Sequence, residues 1–471
     1  MLPDDMLADV LGRLPPRSLA VSRCVCTVWR AVIDARRLLR PDLLPLSLAG
    51  VFVNYVSDLA WSFAELFSRR SPETKKEEEE LVSSSSSSSC SSFPYYPPLV
   101  LIEDHCNGLL LLRDSNYVLN PATGWRMALP PECPRPAHAG MEDFWQDMYL
   151  VFDPTVSSSH FELFLVPRVP FDHSIEELDK HGERVFYAEG LQIDTALLGS
   201  QWPLSPCILN VFSSATGRWE ERSFHRDDGG EGAGTVADMR IDAGEHLFMR
   251  RRNAVYFRGA LYVHCEYDFV MRISLSTNKY HMIKPPPTVI CNFPELHLGK
   301  SENGIYFALL GDEAQLWVWI LAETNGQAEW ILRHGTGAGL SLQSLNCTKR
   351  FHAPWILHHV TSHHLTGAKD DQNINALAEY NEYEWNSDND DDEEEIILHS
   401  EDNNGQTHCS GYLEILAFHP YKEILFLHRS MRRGLAYHLN SSKLEDLGAL
   451  SPNMPFIENI GTCFPFTPCW V

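Results

Sequence analysis

Four histidines, His358, His359, His363 and His364, are the chain's densest set of imidazole side chains, each a potential metal ligand. His359 and His363 stand four residues apart, a spacing that would put two imidazoles on one helical face and suit zinc. The intervening glutamate of H-E-x-x-H is missing, and no C-x-x-C pair occurs anywhere among the twelve cysteines. The surrounding residues read as strand or loop, so no metal site is expected. "HGTGAGL" at 334–340 is glycine-rich, but it is neither G-x-G-x-x-G nor a loop ending in Gly-Lys-Ser/Thr. No G-x-S-x-G is present, and no spacing among the many carboxylates singles out a catalytic pair. The expectation is a chain without catalytic residues, metal or cofactor.

What remains for the chemistry is contact, and the opening residues are built for it. In "LPDDMLADVLGRLPPRSLAVSRCVCTVWRAVI", Met6, Leu7, Val10, Leu11 and Leu14 recur with helical period. Pro3 suits a first helical turn, and Asp4 and Asp5 favour the positive end of the helix dipole. Pro15 and Pro16 end the helix, because each lacks an N–H and restricts the residue before it. Ser18 is positioned to cap a short second helix, and Val25, Val28, Trp29, Val32 and Ile33 form the stripe of a third. Two or three such helices in about forty residues make a thin core.

Charge separates this segment from the rest. The 471 residues hold 38 Lys+Arg against 63 Asp+Glu, a net charge of −25. Residues 1–50 carry seven basic and five acidic side chains, so the remainder carries −27. That balance disfavours a nucleic-acid or anionic-membrane surface, which needs a basic patch. The start "MLPDD" is acidic where a secretory signal would be basic, and the longest apolar stretch, 43–53, is too short and interrupted to span a bilayer. The cysteines lack regular spacing, which fits reduced, mostly buried thiols in the cytoplasm or nucleus.

Beyond Pro41 the texture becomes short apolar runs cut by Gly, Pro, Asn and Asp, the signature of an all-β chain. A motif repeats: an apolar strand, a polar turn, then a large residue opening the next strand. It runs through 117–131, 210–224, 271–287, 317–333 and 435–448, with Trp125, Trp219, Tyr280, Trp330 and Leu444 as the large residues. Hairpins turning at Phe-Asp-Pro (152–154) and Phe-His-Pro (418–420) recur beside it. Units of about fifty residues with three or four antiparallel strands resemble propeller blades, which bury their faces by stacking. The reading is a mainly β fold of about six blades, the sixth sought around 351–361, with the strand at 46–55 completing the last blade. An irregular β-sandwich is the runner-up.

Two segments break the pattern. The run "KKEEEE" followed by a serine tract, about 69–92, cannot bury enough apolar surface to order itself. "NSDNDDDEEE" at 386–395 is a block of like charge and reads the same way.

The opening residues closely resemble an F-box. Leu2-Pro3, Asp4-Asp5, the helix from Met6 to Leu14, "RLPPRSLA" and Arg23 to Ile33 match its pattern at a dozen spaced positions. The stretch 104–131, "DHCNGLLLLRDSNYVLNPATGWRMALPP", resembles the F-box-associated region of plant F-box proteins. The resemblance implies a division into an F-box at 1–42, a connecting strand or linker at 43–68, a low-complexity insert at 69–97 and a β-propeller-like domain over 98–471.

It also implies a role. F-box proteins dock on a Skp-type adaptor, which bridges to a cullin–RING scaffold, while the associated domain holds the protein to be ubiquitinated. Carried over by position, Leu2, Pro3, Leu7, Val10, Leu14, Pro15, Leu19, Val25, Cys26 and Trp29 lie at or beneath the adaptor interface. Leu11 and Val28 are expected only to pack the helices together. The expected function is a non-catalytic substrate receptor of a ubiquitin ligase. An adaptor-bound scaffold without a role in degradation, or a propeller enzyme or glycan binder, are the alternatives. The substrate-binding residues are not legible.

Overall fold

A computed structural model of the chain describes residues 3–14, 19, 22, 25–36, 38, 47–57, 62–69, 100–113, 116–131, 133–142, 144–157, 159–170, 174–178, 184–188, 193–227, 230, 232–240, 253–287, 295–311, 314–324, 327–335, 342, 347–349, 354–360, 412–452 and 457–469. Both proposed inserts, most of 69–97 and all of 386–395, lie outside these residues, as do His363 and His364. The chain divides into two compact units, one of residues 1–129, 152–160 and 340–471, the other of 130–151 and 161–339.

The first unit contains the helices Asp4–Leu11 and Thr27–Ala35 and three four-stranded antiparallel groups, of which I and III are joined into one nine-stranded sheet by parallel pairing of Cys347–Lys349 and Trp355 with Lys443–Ala449. Sheet I runs in the order Trp355–His359, Ser62–Arg69, Gly50–Ser57, Ile457–Phe466. Sheet II is the meander Ile102–Cys106, Leu109–Leu112, Tyr117–Asn120, Trp125–Ala128. Sheet III is the meander Leu413–Phe418, Ile424–Arg429, Arg433–His438, Lys443–Ala449.

Strand alternation explains how sheet I is held. Side chains along a strand point to opposite faces in turn. Val51, Val53 and Tyr55 join Phe63, Phe67 and Trp355 in a cluster with Phe426, Ala436 and Leu447 of sheet III. The intervening Phe52, with Ala64 and Leu66, joins Leu110 and Leu119 of sheet II and Phe464. Sheet I is therefore buried on both faces, as a stacked blade must be, and its strands read as nearly continuous apolar runs. Asn54 breaks that run and is satisfied: its Nδ2 donates to the Ile102 carbonyl at 2.7 Å, and its Oδ1 accepts from the Ile102 amide at 3.3 Å. On the other face, the Tyr55 hydroxyl donates to the Leu450 carbonyl at 2.8 Å.

Sheet I differs in origin from the expectation. Around 351–361 the described residues supply one strand to a sheet whose other strands come from both chain ends. The segment expected as a connecting strand or linker, 43–68, contributes two of those strands. The strand expected at 46–55 is observed at Gly50–Ser57, opposite Ile457–Phe466.

The second unit holds three further four-stranded groups, of which IV and V are joined into one eight-stranded sheet by a two-residue parallel pairing of Arg218–Arg226 with Lys279–Ile283. Sheet IV comprises Trp145–Phe152, Phe161–Arg168, Cys207–Ser213 and Arg218–Arg226; sheet V comprises Ala254–Phe257, Ala260–His264, Val270–Ser274 and Lys279–Ile283. Sheet VI comprises Glu295–Ser301, Gly304–Leu310, Leu316–Thr324 and Gln327–Gly335. Tyr262, Val270 and Ile283 of sheet V pack against Leu298, Phe307, Trp319 and Trp330 of sheet VI. A buried polar group crosses the core of this unit: Arg168 Nε donates to Asp147 at 2.6 Å and its Nη2 to the Tyr149 hydroxyl at 2.6 Å. Glu266, almost wholly buried, lies 4.0 Å from the same guanidinium and accepts from Trp202 Nε1 at 3.2 Å.

The described chain is mainly β, and all five repeated turns fall between paired strands, as the motif required. Tyr280, Trp330 and Leu444 are core residues, whereas Trp219 is half-buried and Trp125 is exposed at the outer strand of sheet II.

Candidate functional site

The N-terminal helices form a small apolar cluster with a second apolar surface on its outside. The first helix starts where Pro3 supplies a carbonyl that accepts from the Leu7 amide at 3.0 Å, with Asp4 and Asp5 in its first turn. It ends at Gly12, whose amide donates to the Ala8 carbonyl at 2.9 Å. Arg13 pairs with Asp9 one turn back, and Arg36 at the end of the second helix pairs with Asp5. These ion pairs are exposed, so they orient the two helices more than they stabilise them.

Stability comes from the inner stripe. Leu7 and Leu11, one turn apart, pack with Leu19, Val32 and Ile33, and Ala8, Leu14, Trp29 and Leu38 lie partly buried against them. The residue one step round the helix from each inner leucine points outward. Met6 is 57% exposed and Val10 55%, and they too stand one turn apart. Val25, just ahead of the second helix, is 61% exposed, and Val28 in its first turn is exposed as well. Among the described residues the buried cluster holds five side chains, and Met6, Val10, Val25 and Val28 remain in water outside it.

The residues expected at or beneath an interface divide accordingly. Leu7 and Leu19 lie beneath, in the core. Leu14 and Trp29 are half-buried at its rim. Pro3, Val10, Val25 and Cys26 are exposed, and Leu2 and Pro15 lie outside the described residues. Leu11 is core, as expected, but Val28 is exposed instead of packing the helices together. Met6 was not expected at the surface. Its signal lay in the width of the apolar stripe, five positions in nine, which exceeds what one buried helix face needs.

Chemically this surface is suited to binding. It presents methyl, isopropyl and thioether groups, which in water are a liability that a protein partner removes. Among the described residues no group of three or more His, Cys, Asp or Glu side chains could hold a metal ion. Among them too, no helix is long and apolar enough to cross a membrane.

Comparison with known proteins bears on the same segment. Residues 1–41 match the model of the F-box domain, so the chain carries an F-box at its N-terminal end. A protein of Arabidopsis thaliana named as an F-box protein is 28% identical over 138 residues, 26% of this chain and 33% of that relative. The chain thus spans about a third of the length of that relative. Among solved structures, the N-terminal domain of Nup159 covers 88% of both chains at 9% identity and a TM-score of 0.27. The WD40 domain of SCAP from fission yeast matches at 10% identity and a TM-score of 0.22, over 77% of this chain and 82% of that one. Likeness at those scores carries no weight for fold or function.

Proposed function

We propose that this F-box-bearing chain is the substrate receptor of a Skp–cullin–F-box ubiquitin ligase. The exposed apolar side chains of Met6, Val10, Val25 and Val28, all within the segment that matches the F-box domain, are the observation that carries this reading. An apolar groove or helix of a Skp-type adaptor would cover these side chains by the recurrent helix-in-groove mode, in which anchors one turn apart seat together. Leu7, Leu11, Leu19, Val32 and Ile33 hold the helices in the geometry the contact needs.

The chain itself performs no bond chemistry in this account. Its contribution is proximity: the β-sheet units hold a protein to be modified close to a ubiquitin-charged enzyme carried by the cullin–RING scaffold, raising effective concentration. The complex would operate in the cytoplasm or nucleus. Co-purification of the full chain with a Skp-type adaptor and cullin tests the first half. The second half is tested by depleting the chain and measuring the half-lives of its co-purifying proteins. Lengthened half-lives support the receptor role; adaptor binding with unchanged half-lives would favour a scaffold instead.

A further inference from the structure

At one end of sheet III, the strands Ile424–Arg429 and Arg433–His438 are joined by a turn that gathers cations in a chain of net charge −25. The turn reads Arg429-Ser430-Met431-Arg432-Arg433. Ser430 and Met431 hold φ at 48° and 54°, a left-handed region that residues with side chains rarely adopt and that tight hairpins usually fill with Asn-Gly. Surrounding bonds fix it there. The Arg432 amide donates to the Arg429 carbonyl at 2.9 Å, and the Ser430 amide to the Tyr412 carbonyl at 2.9 Å. The Met431 amide donates to His428 Nδ1 at 3.2 Å, and the Leu450 amide to the Arg432 carbonyl at 2.9 Å. Strain held in this way is a mark of functional turns.

The charges at this turn do not balance. Arg429 stands directly opposite Arg433 across the hairpin, and opposed like charges disfavour a strand pair. Asp446 relieves only Arg433, whose Nε and Nη2 donate to its carboxylate at 2.6 to 3.1 Å. Glu414, on the adjacent strand, is engaged by His428 Nε2 at 3.0 Å. Arg429 and Arg432 make no ion pair among the described residues, and Arg429 Nε and Nη2 are buried without a hydrogen-bond partner. Arg432 is exposed, as is Tyr412, which flanks the turn. A half-buried cation without a counter-charge is poorly screened by water, so it draws an anion to the surface above it. Arg429 and Arg432 close opposite ends of the turn, which suits carboxylates spaced along a peptide better than a single phosphate.

We propose that this turn binds an acidic segment of a partner protein. Arg432 meets its carboxylates at the surface, Arg429 supplies the unneutralised charge behind, and the Tyr412 ring lies beside the peptide. The contact does not require the F-box helices, so it is measurable without an adaptor.

The test is fluorescence anisotropy of the full chain with a labelled peptide of alternating Asp and Glu, beside the same peptide written in Asn and Gln. The acidic peptide should bind saturably and more weakly as salt is added, and the amide peptide should not bind. Arg432→Glu should weaken binding at least about tenfold. Arg218→Glu, the same charge change at an exposed arginine of the second unit, should leave it unchanged. Arg429→Met should also weaken binding while its unfolding midpoint stays at or above that of the wild type, because the unsatisfied donors and the opposed charge are gone. The proposal is overturned by an acidic peptide that does not bind, or binds no better than the amide peptide. Equal loss in Arg432→Glu and Arg218→Glu, or an Arg429→Met chain that unfolds more readily, overturns it too.

Discussion

The Asn54 amide donates to Thr462 Oγ1 at 3.0 Å, joining adjacent strands of one sheet from positions 408 residues apart. The same amide group bridges to Ile102 of the neighbouring sheet, so one side chain fastens three strands. Sheet I depends on such links because no hairpin connects its outer strand, Ile457–Phe466, to the rest.

Asn54→Ala should therefore be costly. It leaves the buried amide and carbonyl of Ile102 without the partners that Asn54 supplies, a loss of about 1–3 kcal/mol per unsatisfied group. Denaturant unfolding should show a lowered midpoint, and hydrogen exchange should quicken at Ile102 before it does in the strands of sheet III.

Glu65 makes the stability of the first unit depend on pH. Burial pushes its carboxyl up to about 7 from an ordinary 4.5. The folded state then retains a proton that the unfolded chain has released, so the unfolded state binds fewer protons between these values. Stability is fully present below about 4.5, falls as the pH rises towards 7 and levels off above it. The fall is at most about 3 kcal/mol, the free-energy equivalent of that displacement. Glu65→Gln should flatten the profile across this window and stabilise the protein at pH 8; urea midpoints measured from pH 5 to 8 read both effects.

Gly434 is fixed by a close approach. A β-carbon there would overlap the ring of Phe67, whose own packing against Trp355 places the two rings 5.2 Å apart. Gly434→Ala should cost about 1–3 kcal/mol by overpacking. Adding Phe67→Leu should recover part of the loss, a coupling that a double-mutant cycle in thermal unfolding would measure.

In the second unit, Arg168 balances two carboxylates in a nearly water-free place. Arg168→Met removes the cation and leaves Glu266 buried beside Trp202, which should destabilise by about 3–5 kcal/mol. Arg168→Met with Glu266→Gln should be less damaging than Arg168→Met alone, because the uncompensated charge is gone.

How much of this was legible in the sequence differs between the parts. The five turn motifs located their strand pairs, because a polar turn between alternating apolar runs joins neighbours in the chain and needs no distant information. Sheet I was legible only as strands. The nearly continuous apolar run at Val51–Tyr55 says that both faces are buried, but it does not name Ile457–Phe466 as the partner. The F-box was legible from residue identities at fixed spacing. The separation of its apolar stripe into Leu7 and Leu11 inside and Met6 and Val10 outside was not, because it depends on how little core the second helix supplies.

The central claim, that the outer face of the F-box helices docks on an adaptor, is tested most directly by the dissociation constant of the full chain for a Skp-type adaptor. Wild type is compared with Met6→Asp/Val10→Asp, whose altered side chains lie outside the helical core and should leave the unfolding midpoint nearly unchanged. The account predicts saturable binding by the wild type and a loss of at least about a hundredfold in the variant, the size expected when anchors at an interface centre are replaced by charge. A wild type that does not bind the adaptor, or a folded variant that binds it equally well, would contradict it.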